Sequence, residues 1–193
     1  MKSRRFQDTA TTRIEPTKDR IRDLPMNLEY IRYKYRMLVR PRTVSNNGVR
    51  IHIPDGAHPD LVKLIYRNRF EAAEVELLEK TVVPGDVVLD VGSGMGLTSV
   101  LAAKLSGNKV TAVEANPELV PAIRRNALAN NVDLDVINAA VSAEGGTADF
   151  FVENRFFASS LTASDTAKRI RIDAIGIRSL LERCHPTYLT MDV

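Results

Sequence analysis

Hydrophobic positions along this chain change period several times, and each change marks an element. In NLEYIRYKYRML, Leu28, Ile31, Tyr35 and Leu38 recur at spacings of 3, 4 and 3, one face of a helix, with Arg32 and Arg36 off the stripe. Such faces usually end up packed, so the stripe is expected to lie on its own domain or on a twin subunit. A membrane or RNA contact is the alternative. RTVSNNGVRIHI reads as a hairpin, with Asn47-Gly48 as the favoured turn pair between two β-prone runs. A helical pattern follows from about Asp60 to Lys80 through Leu61, Leu64, Ile65, Ala72, Val75 and Leu78. A break is expected near Asn68, and Pro84-Gly85 stops the pattern.

From there strand and helix periods alternate. A short buried strand is predicted over 87–91, and an apolar helix over 97–105 that Gly107 can end. A strand over 109–114 leads to a helix over 117–130, with Asn116 placed to cap it and Pro117 at its first position. Pro121 inside that helix removes a hydrogen bond, so its start is expected to be distorted or delayed. A third strand is predicted over 134–140, and the β-prone TADFFV suggests a short extra strand between 145 and 157. A helix over 177–183 and a fourth strand over 188–193 close the pattern. This alternation predicts an α/β fold, a doubly wound, mostly parallel Rossmann-like sheet. Residues 1–24 are polar and basic without periodicity and read as loop or disorder. The organisation expected is a basic extension with an amphipathic helix over 1–45, then a ligand-binding domain over 46–193.

The candidate chemistry sits in VVLDVGSGMG, residues 87–96. Its glycines are Gly92, Gly94 and Gly96, where a dinucleotide fingerprint would need the third at Leu97. Glycines allow a sharp turn and close ligand approach. Asp90 ends the strand and carries an anion to the crevice where such folds bind ligands. A carboxylate there suits a ligand with a positive group, whereas a pyrophosphate prefers bare N–H groups and a helix N-terminus. Glu114 ends the next strand, 18 residues after Gly96, where an acid can accept from ribose hydroxyls. A nucleoside with a free ribose and a cationic amino-acid end fits both acids, and S-adenosylmethionine is such a molecule. A nicotinamide cofactor, or a packing turn without a ligand, is the alternative.

The segments VPGDVVLDVGSGMGLTSVLAAK, VTAVEANPELVPAIRRNALANN, INAAVSAEGGTADF and IDAIGIRSLLERCHPTYLTMDV resemble FkbM-type S-adenosylmethionine-dependent methyltransferases. YRNRFEAAEVELL resembles the helix preceding that family's first strand, and the resemblance covers roughly residues 48–193. It implies methylation of a hydroxyl on a sugar or other small molecule. Gly92, Ser93, Gly94 and Gly96 would then line the methionine and ribose side, and Glu114 would hold the ribose. Ala115 and Asn116 would flank the adenine, with Ala140 and Val141 packed near the base. Related enzymes often place an acid near that point; here Ala139 and Ala140 stand there, leaving backbone groups or Ser142 to replace it. Methyl transfer is a direct displacement in which alignment supplies much of the rate. An alcohol acceptor also gains from a base, and Asp192, at the end of the fourth strand, is the candidate. Its alternative role is positioning or a structural hydrogen bond. Glu71 and Glu74 are expected on an exposed helix face, although either could meet the methionine amine. The Glu-Gly that the family places after Asp192 does not follow, so a domain incomplete after four strands is expected.

Composition narrows the classes. The chain has 193 residues, 44% hydrophobic and 26% charged, as in a globular protein. It has no transmembrane run and no secretory h-region, and with one cysteine, Cys184, the cytoplasm is the expected compartment. The net charge of +3 hides an asymmetry. Residues 1–50 carry 13 Lys and Arg against 5 Asp and Glu, a net of +8; the remainder carries 14 against 19, a net of −5. A basic arm suits a solvated or oligomer-building role, with homo-oligomer formation through it as one expectation. It also keeps an RNA methyltransferase open as the second reading, and a cofactor-binding module without catalysis as the third. His52, His58 and His185 lack ligand spacing, so no metal site is expected. Cys184-His185 and Ser159-Ser160 are read as packing and loop.

Overall fold

The structure, a computed structural model, describes residues 26–152 and 168–192. The expectations for residues 1–24 and for Ser159-Ser160 lie outside the described residues. Helix α1 (Met26–Val39) precedes a hairpin of β1 (Thr43–Asn46) and β2 (Val49–His52). Asn47 and Gly48 both adopt positive φ, 48° and 78°, as the tight hairpin turn demands. The long helical pattern is two helices, α2 (Pro59–Tyr66) and α3 (Ala72–Thr81). Between them Asn68 and Glu71 are left-handed, with φ of 54° and 48°.

The alternating region follows: β3 (Val88–Val91), α4 (Leu97–Ser106), β4 (Val110–Glu114), α5 (Val120–Asn130) and β5 (Leu134–Asn138). Gly107 ends α4 in the left-handed conformation, its N–H bonded to the Ala103 carbonyl. Helix α5 starts three residues later than the first proline suggests. Pro121 thereby falls in the first turn, where its missing N–H has no partner to lose. Then come β6 (Ala140–Ser142), β7 (Gly145–Val152), β8 (Lys168–Gly176), α6 (Ile177–Cys184) and β9 (Tyr188–Met191).

Strands β5, β4, β3 and β9 form a parallel sheet in that order, with Leu89 in register with both Thr111 and Leu189. This is the expected Rossmann-like α/β arrangement. A second sheet, in the order β6-β8-β7, is additional: β7 runs antiparallel to β8, and β6 parallel to it. No element is predicted where β8 lies, although Arg169, Ile170, Arg171 and Ile172 alternate with the period of a strand.

The parallel sheet divides the core by alternation. Val88 faces the larger cluster with Leu61, Ile65, Val75, Leu97 and Val100. Leu89 and Val91 face the other way, onto Val113 and Leu180 of α6. The hairpin, α2, α3 and α4 therefore share one side of the sheet, and α6 holds the other.

The orientation of α1 differs from expectation. Leu28, Ile31, Tyr35 and Leu38, expected to lie on their own domain or on a twin subunit, are 53%, 62%, 62% and 83% exposed, so they do not pack on their own domain. The buried member is Arg36, whose Nη1 donates to the Tyr66 carbonyl and Asn68 Oδ1 and whose Nη2 donates to the Ser45 carbonyl. Tyr33 and Met37 pack beside it on the core. The physical reason is that the break after α2 and the hairpin strand β1 offer oxygen acceptors. A guanidinium can satisfy three of them, and a leucine none.

Candidate functional site at the glycine loop

The loop from Val91 to Leu97 is fixed by its own backbone and by β4. Gly92 and Ser93 donate their N–H groups to the Val113 carbonyl, at 2.9 and 3.1 Å, and Gly96 donates to the Ser93 carbonyl at 2.6 Å. Gly92, Gly94 and Gly96 all have positive φ. A Cβ on Gly96 would come within 3.1 Å of Ile123 Cγ2, so this glycine lets α5 close on the loop. The Ser93 hydroxyl donates to the carbonyls of Asp90 and Val113.

Asp90 shares the sheet face of Val88, the side occupied by α4. Its Oδ2 accepts from Thr98 Oγ1 at 3.0 Å and from Ser99 Oγ. Burial raises its carboxyl above the ordinary range, against the pull of the Ser99, Thr98 and Ser93 hydrogen bonds. Part of Asp90 is thus committed to holding the first turn of α4 on the sheet.

Glu114 links the two loops that flank the crevice. Its Oε2 accepts from Gly94 N at 2.8 Å and its Oε1 from Asn116 N at 2.7 Å. Burial raises its pKa, while the Asn116 and Gly94 bonds oppose the rise. Each carboxylate oxygen retains capacity for a further donor. Ala115 is half-buried beside it. Asn116 is fully buried, with Oδ1 accepting from Glu118 N and Nδ2 without a partner.

Glu71 is the residue that sequence reasoning undervalues. Expected on an exposed face, it instead stands over the loop, because the left-handed turn before α3 redirects it. A Cβ on Gly94 would lie 3.5 Å from its Oε1, and its Oε2 is buried without a hydrogen-bond partner. Glu74 remains exposed. Asn138 is also missed: its Nδ2 donates to the carbonyls of Glu114 and Ala115, fixing the end of β4. Nothing in the spacing marks it, since the contact depends on the register of β4 and β5.

Ala140 and Val141 lie on β6, and Val141 packs with the α6-side cluster. Ala139 N donates to the Glu114 carbonyl, which brings this segment to the end of β4. Ser142 Oγ accepts from Gly145 N and so serves the turn into β7. Asp192 follows β9, its N–H bonded to the Val91 carbonyl, with its side chain exposed. Its charge reaches both Glu71 and Asp90.

The geometry forms one continuous run: Glu71 over Gly94, Gly94 on Glu114, Glu114 on Asn116. At one end is an unpaired carboxylate oxygen, at the other an unpaired amide donor. With Glu114 between them, these two orphaned groups offer partners to a ligand with a cation, a diol and a base acceptor in that order. Among the described residues no group of three or more His, Cys, Asp and Glu is placed to hold a metal ion. No helix there is long and apolar enough to cross a membrane.

Comparison with known proteins finds similarity over part of the chain. The family model of ribosomal protein L11 methyltransferase (PrmA) matches residues 72–163. Ribosomal protein L11 methyltransferase of Bacillus cereus (strain AH820) is 35% identical over 100 residues, 50% of this chain and 32% of that protein. That of Bacillus cereus (strain G9842) is 34% identical over the same shares. Among solved structures, tRNA (uracil-54, C5)-methyltransferase of Pyrococcus abyssi in complex with S-adenosyl-L-homocysteine matches 54% of this chain. It does so with 24% identity, 26% of its own chain and a TM-score of 0.42. The match spans 32% of the length of these curated relatives. The likeness is to methyltransferases, and not to the FkbM type in particular.

Proposed function

We propose that this chain binds S-adenosylmethionine at the glycine loop and takes part in methyl transfer from it. The observation that carries this reading is the run from Glu71 to Asn116, with an unpaired anion at one end and an unpaired donor at the other. The match of residues 72–163 to a methyltransferase family supports it. When bound, the sulfonium supplies an activated methyl group for direct displacement. Glu114, already oriented by two backbone N–H groups, accepts from the ribose hydroxyls. Asn116 Nδ2 donates to the base, and Glu71 meets the positive end. Asp192, exposed one residue beyond β9, takes the proton of an acceptor positioned over the loop.

For the acceptor, the relatives named as ribosomal protein L11 methyltransferases favour a protein of the ribosome. The small-molecule hydroxyl expected from sequence gains no support from them. RNA is the second reading, favoured by the net +8 of residues 1–50, and a basic surface of that kind binds polyanions less tightly as salt rises. Titration calorimetry with S-adenosylhomocysteine, against NAD as control, tests the cofactor. Binding of the former alone, lost in Glu114→Ala, is expected; NAD binding alone would refute the reading. Labelled methyl donor, offered with ribosomal proteins, ribosomal RNA and a small-molecule extract, identifies the acceptor by which fraction takes the label.

A further inference from the structure

Glu71 has a carboxylate oxygen that is both enclosed and unpaired, alone among the carboxylates of the described residues. Its backbone is left-handed, φ 48° and ψ 37°, at the start of α3, where its carbonyl accepts from Val75 N. Holding a non-glycine residue there costs about 1 kcal/mol or more, and such strain is kept mainly at ligand sites. The charges acting on it are negative: Asp90 at the end of β3, Glu74 on α3, Asp192 beyond β9 and Glu114 at the end of β4. An ionised carboxylate with one oxygen enclosed and without a donor, and only negative charges acting on it, is not a stable arrangement.

We infer that Glu71 is the ammonium-binding residue of this site and that it exchanges a proton for the ligand's cation. The empty site holds the proton on the Glu71 carboxyl group. When a primary ammonium enters, the O–H bond breaks and the proton goes to solvent. The resulting carboxylate then accepts a hydrogen bond from the ammonium, which keeps all three of its own protons. Burial first, and the four negative neighbours after it, push the Glu71 pKa well above 4.5 in the empty protein. An adjacent cation reverses the second cause, so the bound group ionises at lower pH. Affinity for an amine-bearing nucleoside must therefore rise with pH, by up to about tenfold per unit while one proton is released. The inference rests on the cofactor reading above, since it assigns the amino-acid end of that ligand.

The test uses the full chain and two probes, S-adenosylhomocysteine and 5′-methylthioadenosine, which lacks the amino-acid end. Calorimetry in buffers of different ionisation heat counts the protons released. The homocysteine compound should release up to one proton at pH values where the empty site holds Glu71 protonated, and methylthioadenosine none. In Glu71→Gln the pH dependence should flatten, and affinity for the homocysteine compound should fall about tenfold or more above neutrality. Affinity for methylthioadenosine should stay within about twofold, which also reports that the variant is folded. Binding of the homocysteine compound without proton release overturns the inference and leaves the cofactor reading standing. Equal release with both probes also overturns it, because the proton then belongs to Glu114 or Asp90. Failure of both probes to bind at any pH removes the cofactor reading and the inference with it.

Discussion

Glu71, Asp90 and Glu114 are three acids whose folded surroundings favour the protonated form, each chiefly through burial. The sign for stability follows from linkage. A carboxyl group with a raised folded pKa stabilises the fold fully below its unfolded value, and that contribution is lost as pH rises through the folded value. The empty protein should therefore lose stability as pH climbs above about 4.5, the ordinary value for Glu71. Removing the charge should reverse part of this. Glu71→Gln should melt higher than the parent at pH 8, by about 1–3 kcal/mol, and match it near pH 4. Equal melting of the two proteins across this range would show that the carboxyl group is not strained by its site. Gly96→Ala is expected to act oppositely, costing about 1–2 kcal/mol through its left-handed φ of 80° and the 3.1 Å approach to Ile123. Thermal melts with and without S-adenosylhomocysteine would measure both. Asp90 and Glu114 are legible in the sequence because each closes an apolar run. Glu71 is not: the break near Asn68 is readable, but the left-handed turn of Glu71 itself, which sets where its side chain stands, is not.

Between elements, the hairpin is held by side chains where a further strand might have paired. Asn126 Oδ1 accepts from His52 N at 2.7 Å, and Asn130 Oδ1 from Arg50 N at 2.9 Å. Asn130 Nδ2 donates back to the Arg50 carbonyl, while Asn126 Nδ2 donates to the Met95 carbonyl inside the glycine loop. Asn126 thus couples β2, α5 and the loop at once. Asn126→Leu, close in volume, leaves the His52 N–H and the Met95 carbonyl unpaired and should cost about 2–4 kcal/mol. Amide exchange at His52 should accelerate more than at Leu89 in the sheet, and cofactor affinity should fall. Unchanged exchange at His52 would show that water replaces the clamp without loss. The hairpin itself is readable from Asn47-Gly48, and the parallel order from alternating periods. The asparagine clamp is not, because Arg50 and Asn130 are far apart in sequence and meet only once α5 crosses the hairpin. Strand β8 carries a legible alternation, yet its charged residues disguise it until β7 supplies the partner.

Across the whole molecule, Arg36 is one of the points at which the basic first fifty residues meet the acidic remainder. Residues 1–50 carry a net of +8, and among the described residues this guanidinium docks α1 on Tyr66, Asn68 and Ser45, beside the packing of Tyr33 and Met37. Burial and the neighbouring charge of Arg32 lower its pKa, yet an arginine remains charged through the accessible range. The attachment therefore does not depend on pH. It depends instead on fork geometry: two terminal nitrogens serve three acceptors at 2.8 to 3.0 Å. Lysine, with one ammonium on a flexible stem, cannot span them. Arg36→Lys should weaken the docking of α1 by about 1.5–3 kcal/mol although the charge is kept. Helix α1 lies outside the sheet, so the loss should be local. Amide protons of α1 should exchange tens-fold faster, while those of Leu89 and Val113 change little. Equal acceleration in the sheet would mean that α1 unfolds only with the whole domain, making it part of the cooperative core. The outward stripe of Leu28, Ile31, Tyr35 and Leu38 follows from the same anchor. Once Arg36 faces inward, residues at the helical offsets of that stripe must face away from the domain, which a hydrophobic pattern alone could not foretell.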